Sequence, residues 1–361
     1  LKVDLSEGFL YLFNKLDRVF LSTGSIFSIT SLLCALFVAV AFVVYRRRRK
    51  GRRLRVRAIA RALFPSRILK SPSHSVDIGF FFFSVFIYGI VFGWAVVSYQ
   101  MLSNGLIQGL VATFGAVTPT SLPEWGSRSV VTLALFLAFE FGYWLHHYLS
   151  HRVPLLWEFH KVHHTAEVLT PLTVFRVHPL DTVIYYNVLA VSMALASGVS
   201  NYLLGQTTYQ YAITGSNILL VLFIHAYVHL QHTHLWISFR GVLGRLFLSP
   251  AHHQVHHSTN PAHFNKNLGN CLGIWDWLFG TLYIPSREPE KLQFGVDPGH
   301  SHDHVLTHAM IDPLVRAFGH VGELFRRPPY RAAPDTVVSD EALQRVAAPA
   351  EAKPAATSAA T

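Results

Sequence analysis

Five stretches of about twenty mostly apolar residues divide this chain: roughly Ile26 to Tyr45, Ile78 to Ser98, Val130 to Tyr148, Leu180 to Val199 and Tyr209 to His229. Each is long enough to cross a bilayer as a helix, which takes about 20 such residues. The expected fold class is therefore all-α, an integral membrane helical bundle. Only 14% of residues are charged, against about 25% in a typical soluble domain. The segment Leu102 to Val117 is apolar but short and Gly-rich, so it is left open as a re-entrant or interfacial piece.

The formal net charge is +10, but it is concentrated. Twelve basic residues and no acidic one fall between Arg46 and Lys70, and subtracting them from +10 leaves −2 for the rest of the chain. Apolar spans flank this loop. That pattern fits membrane orientation rather than a nucleic-acid partner, which would spread basic charge over a folded surface. The positive-inside rule puts the loop in the cytoplasm. Counting spans from there brings the ends of the third and fifth spans, and the polar segments after them, to that same face. Two cysteines, Cys34 and Cys271, have no metal-ligand spacing and suggest no disulfide framework.

The 22 histidines are the outlier, because many fall in short clusters. Imidazole binds metals as the neutral ring, and residues three or four apart on a helix share a face. His147 and His151 are four apart. His160, His163 and His164 stand at i, i+3 and i+4, and His253, His256 and His257 repeat that triplet. His146 is five residues from His151, off a common face, so His147 is the expected ligand. In the segment His225 to His234, two of His225, His229, His232 and His234 are expected to ligate, with His229 and His232 favoured and His234 an alternative to either. His178 is read as a donor behind the ligands, with ligation as the less favoured alternative. The isolated His74, His300, His302, His304, His308 and His320 are read as ordinary core or surface residues. About ten ligands are too many for one tetrahedral zinc ion and suit two ions in a histidine-rich helical cap on the cytoplasmic side. Glu140, Glu158 and Asp276 are candidate carboxylates for orienting the rings, or else cap a helix or pair with an arginine.

At these residues the chain resembles the fatty acid hydroxylase/sterol desaturase superfamily of membrane-bound histidine-box di-iron oxidases. The stretch Glu140 to His151 is similar to its His-x3-His box. His160-Lys161-Val162-His163-His164 resembles its His-x2-His-His box, and His253-Gln254-Val255-His256-His257, after Ser249-Pro250, its last box. Asn267-Leu268-Gly269 and Trp275 to Thr281 resemble the segment that follows. The likeness covers about Ser129 to Pro285. It implies two non-haem iron ions, O2 as co-substrate, a lipid substrate such as a fatty acyl chain or sterol, and electrons from a donor such as cytochrome b5 or a ferredoxin. On that reading His147, His151, His160, His163, His164, His253, His256 and His257 are the catalytic ligands, joined by His229 and His232. Phe139, Tyr143, Trp144, Trp157 and Phe175 are candidates to line a lipid path, or else ordinary packing residues.

The expected organisation is an amphipathic lead-in (1–25), N-terminal spans around the basic loop (26–128), a histidine-box catalytic domain (129–285), a C-terminal cytoplasmic segment (286–325) and an Ala/Pro-rich tail (326–361) too polar and repetitive to bury a core. The preferred activity is hydroxylation or desaturation of a lipid, with an ether-lipid monooxygenase as the alternative. A membrane metal transporter or metal-binding protein is less favoured, because a transporter would hold its ligands near the bilayer midplane. The His-Glu-x-x-His of a zinc protease is absent.

Overall fold

The computed structural model describes residues 5–296 and 304–326. Residues 1–320 form one compact unit. Of the second unit, 321–361, only 321–326 are described. The tail expected to be disordered lies outside the described residues apart from Arg326, as do His300 and His302. The architecture among the described residues is helical, with one two-stranded hairpin.

Helix α1 (Leu5–Leu16) leads into α2 (Ile29–Arg49). Ser28 caps α2 by accepting from Ser31 N at 3.2 Å, and the helix ends in four arginines. A short amphipathic helix, α3 (Val56–Leu63), packs Ile59, Ala62 and Leu63 against the core formed by α2 and the 227–235 segment. Next comes a 43-residue apolar path, Pro72–Phe114, which is not one straight helix. Helix α4 (Pro72–Phe82) runs into a π-turn at Phe83–Ile87, the chain breaks near Val96, and α5 (Tyr99–Phe114) restarts under a Ser98 cap. The expected span Ile78 to Ser98 is thus interrupted, and the segment left open is a full helix. It lies along α8 (Pro179–Leu204), with Leu106 against Gly198 and Tyr202 Oη donating to Gly115 O.

Helix α6 (Glu124–Arg152) has 29 residues. At about 1.5 Å each it is some 43 Å long, against a hydrocarbon layer of about 30 Å, so its last turns stand clear of the apolar zone. Its partner α8 runs antiparallel to it. The two approach closely at Gly142, where a Cβ would fall 2.9 Å from Ser192 Oγ. Val153 ends α6 because the residue before Pro154 is pushed out of helical geometry. Pro154 at the same time opens α7 (Pro154–His164), since proline suits the first helical turn. One dipeptide therefore folds the second histidine group back over the first. At the far end of α8, Gly205 adopts φ +64, and a Cβ there would lie 2.5 Å from Val117 O.

The expected fifth span, Tyr209 to His229, is corrected. A hairpin pairs Ala212–Ile213 with Ser216–Asn217, its turn made by Thr214 and Gly215, both at positive φ. Such a turn matches the twist of paired strands. The helix, α9 (Ile218–Gln231), therefore starts nine residues later than expected. Its 14 residues reach only about 21 Å, and Asn217 Nδ2 ties its start to Thr132 O on α6. Among the described residues, four helical segments are long and apolar enough to cross a membrane: Ile29–Arg49, Pro72–Phe114, Glu124–Arg152 and Pro179–Leu204. The last of the histidine triplets falls on α10 (Pro250–His256) and its C-cap. A final helix, α11 (Leu306–Arg326), stands in the C-terminal segment where no helix was expected, and it contains His308.

Candidate metal centre

Each histidine segment is aimed by a local device. His147 and His151 sit in the last two turns of α6, and His160, His163 and His164 end α7. Ser249 and His252 cap α10 reciprocally, which engages His252 Nδ1 and leaves His253, His256 and His257 for the interior. His232 is the non-helical C-cap of α9.

The rings collect into two groups. His147, His151, His160, His164 and His256 form one, and His163, His232, His253 and His257 the other; within each group the candidate ligand atoms all lie within 4.8 Å of one another. Nine of the ten histidines expected as ligands are therefore brought together. His229 is the exception. Its Nε2 lies 3.1 Å from Ser31 Oγ, facing α2. A π-turn at Ile224–Val228 and the non-helical backbone of His232 break the helical register on which the His229/His232 pairing was based. His225 faces Val221 O and Thr30, and His234 bonds Ala62 O. His178 caps α8 through Leu180 N and bonds Met310 O, so it stands behind no ligand. His146 bonds Asp181, as expected of a neighbour rather than a ligand.

Backbone carbonyls set the tautomers. His147 Nδ1 donates to Leu268 O at 2.7 Å, His256 Nδ1 to Lys266 O at 2.9 Å and His163 Nδ1 to Arg176 O at 3.3 Å. A carbonyl only accepts, so each of these rings carries its proton on Nδ1 and presents a lone pair at Nε2. His160 Nδ1 bonds Asp181 Oδ2 at 3.0 Å with the same effect. The Nε2 atoms of His147, His151, His160, His164 and His256 are buried and have no hydrogen-bond partner. Buried polar atoms are seldom left so, and five converging ring nitrogens, three of them on rings whose proton is held at Nδ1, are what a cation requires. In the second group, ring nitrogens approach each other directly: His232 to His253 at 2.8 Å, His253 to His257 at 3.1 Å and His163 to His232 at 3.2 Å. Both donor sets fit metal ions held by neutral imidazoles.

Burial, helped by the neighbouring rings, holds His163, His164, His253 and His257 well below the ordinary imidazole value of 6.5 and pushes His256 down to about 3. These groups thus stay neutral where an unfolded chain would take up protons. Stability of the metal-free protein is expected to be unaffected above about pH 6.5 and to fall as pH drops from there towards about 3. Thermal unfolding of metal-stripped protein at about pH 7.5 and pH 5 checks this, and an equal or higher midpoint at the lower pH would contradict it.

The expected orienting carboxylates act differently. Glu140 accepts from Asn270 Nδ2, Cys271 N and Leu272 N, and Asp276 from Leu268 N, Gly269 N and Thr281 Oγ1. Neither touches a ligand ring. Together they hold the 266–272 loop, whose carbonyls orient His147 and His256. This gives a physical role to the Asn267-Leu268-Gly269 and Asp276 motif. Glu158 pairs instead with Lys161 and Arg316. The carboxylate that does meet the rings is Asp181, which contacts both His146 and His160. Sequence reasoning passed it over, although an ionisable residue at the start of an apolar helix is a signal in itself. Arg176 was also missed. It is fully buried, pairs with Asp77 at 3.1 Å and orders the backbone that receives His163.

A cavity of about 450 Å³ opens from the centre between α6, α8 and α9. His147, His160, His163 and His232 line one end, and aromatic and aliphatic side chains including Phe139, Tyr143, Phe175 and Tyr185 line the rest. Trp144 stacks on Phe279 and Tyr148, and Trp157 packs on His151 and His164; neither lines the cavity.

The family described as fatty acid hydroxylase matches residues 132–281. The chain is 33% identical over 174 residues to the ornithine lipid hydroxylase OlsE of Rhizobium tropici, covering 48% of this chain and 47% of that one. It is 30% identical over 165 residues to the alkylglycerol monooxygenase of Homo sapiens, covering 45% and 32%. It is 27% identical over 205 residues to a cholesterol 25-hydroxylase-like protein of Danio rerio, covering 53% and 76%. The match thus spans about half the length of the first of these relatives and about a third of the second. No solved structure matches.

Proposed function

We propose, from a chain whose residues 132–281 match the fatty acid hydroxylase family, that it is a membrane-bound di-iron oxidoreductase which uses O2 and external electrons to hydroxylate or desaturate a lipid. The observation that carries this reading is the meeting of nine histidines in two groups, with His147, His160, His163 and His232 among them lining a mostly apolar cavity between candidate spans. The relatives' names cover an ornithine lipid, an alkylglycerol and a sterol, which supports a lipid as the substrate class here.

Iron bound by the two groups would supply the reduction of O2 and the attack on an unactivated C–H bond. The chain's own part is to position and exclude. Five Nε2 atoms in one group and four rings in the other offer sites for two ions. Neutral imidazoles would leave the metals' charge uncompensated, and a histidine donor set suits iron's oxygen chemistry. Asp181 and the carbonyls of Lys266, Leu268 and Arg176 hold the rings in one tautomer, the usual work of groups behind metal ligands. The aromatic walls bring an alkyl chain to the histidine end of the cavity and keep water from it. The bond of His234, two residues after His232, to Ala62 O of the basic loop supports placing that loop and the histidine groups at one end of the bundle. With the positive-inside rule this supports a cytoplasmic active site, within reach of a soluble or peripheral donor such as cytochrome b5 or a ferredoxin.

The test is metal analysis of the purified full chain with product analysis under labelled oxygen. We expect two iron ions per chain, no haem absorbance, and a lipid product that carries the label or a new double bond. Protein loaded with iron but inert towards membrane lipids in the presence of O2 and a chemical reductant would overturn the assignment.

A further inference from the structure

The basic loop does more than mark one side of a membrane. Arg46, Arg47, Lys50, Arg52 and Arg67 converge on a single recess of about 440 Å³. Its floor is Leu235, Trp236 and Gln254, and its apolar wall is Phe42 and Val43, one turn deeper on α2. Topology alone would be served by arginines pointing anywhere. Here five cations face one another, and like charges at close range repel unless an anion joins them. The counter-charges in place are weak. Glu288 approaches Arg46 at 3.7 Å but is 74% exposed, and Glu290 on the rim is engaged by Ser286 N and Tyr283. Such an exposed pair contributes little. Arg47 Nε is buried with no hydrogen-bond partner, and no ion pair is formed by Lys50, Arg52 or Arg67 among the described residues.

Depth decides what anion fits. The recess lies at the last turn of an apolar span, where a bilayer meets water. The neighbouring α3 carries Ile59 and Leu63 inward and leaves Arg57 and Arg61 on its other side, the pattern of a helix lying in the interface. Cations above and phenyl and valyl groups below match a phosphate above an acyl chain. We propose that this recess binds the phosphate of an anionic phospholipid from the adjoining leaflet, at a site separate from the cavity that leads to the histidines.

Native mass spectrometry of the full chain released from nanodiscs tests it, with phosphatidylglycerol and phosphatidylcholine as probes. Wild-type protein is expected to retain phosphatidylglycerol in preference. The variant Lys50→Gln/Arg52→Gln/Arg67→Gln removes three exposed charges with no folding partner and is expected to weaken that retention about a hundredfold, at roughly fivefold per charge. Its thermal midpoint, measured alongside, should match wild type in phosphatidylcholine. Three results would overturn the proposal. The first is equal retention of both lipids by the wild type. The second is full displacement of phosphatidylglycerol by millimolar inorganic phosphate, which points to a soluble phosphate ligand. The third is a folded variant with undiminished preference. Loss of binding to an acidic soluble protein, with lipid retention unchanged, would likewise reassign the recess to a protein partner.

Discussion

Changing His256 to alanine is expected to remove bound iron and reduce lipid oxidation to background. His256 belongs to the five-membered group, its Nε2 is buried without a partner, and its ring lies 4.4 to 4.8 Å from those of His147, His151 and His164. Truncation deletes one donor and opens a gap beside three others. His151→Gln serves as a second variant, because it keeps a side chain of similar bulk. His229→Ala is the control. That ring faces Ser31 outside both groups, so iron content should stay at the wild-type level. Iron per chain by elemental analysis and product formation under O2 decide the matter together. Full iron in His256→Ala, or iron lost in His229→Ala but not in His256→Ala, would undo the assignment of the two groups.

Asp181→Asn is expected to lower iron affinity or turnover about 10- to 100-fold, the usual cost of removing a group that orients metal ligands. Asp181 offers one oxygen to His146 at 2.9 Å and the other to His160 at 3.0 Å. Asparagine has a single acceptor oxygen and two N–H donors. It cannot receive both rings, so one imidazole must turn over or lose its partner. If His160 turns, its lone pair leaves the cluster. The accompanying readout is the midpoint for iron release under a chelator, which a merely structural role would leave in place once the protein is shown to be folded. Wild-type turnover and chelator resistance in this variant would show that the carboxylate does not hold the ligand ring.

Much of the site was written in local spacing. The triplets at 160/163/164 and 253/256/257 and the pair 147/151 each face one way because a helix repeats every 3.6 residues, and eight of those eight rings meet in the two groups. Spacing failed where the backbone left helical geometry. At Ile224–Val228 a π-turn shifts the register, and at His232 the helix has ended, so the segment expected to give two rings to the groups gives one. The fifth span failed for a similar reason, since Thr214-Gly215 makes a hairpin turn inside an apolar run. Hydropathy averages over such a turn and cannot register it.

Composition and periodicity by themselves determined that apolar helices would dominate, that basic charge would gather at one end, and that histidine-bearing turns would point their rings together. The tertiary structure alone decided which nitrogen of each ring is free. His147 takes its tautomer from a carbonyl 121 residues away, and His160 from a carboxylate 21 residues on, at the base of another helix. Side-chain direction follows from the local backbone, whereas the proton's position on an imidazole follows from whichever acceptor the fold brings alongside.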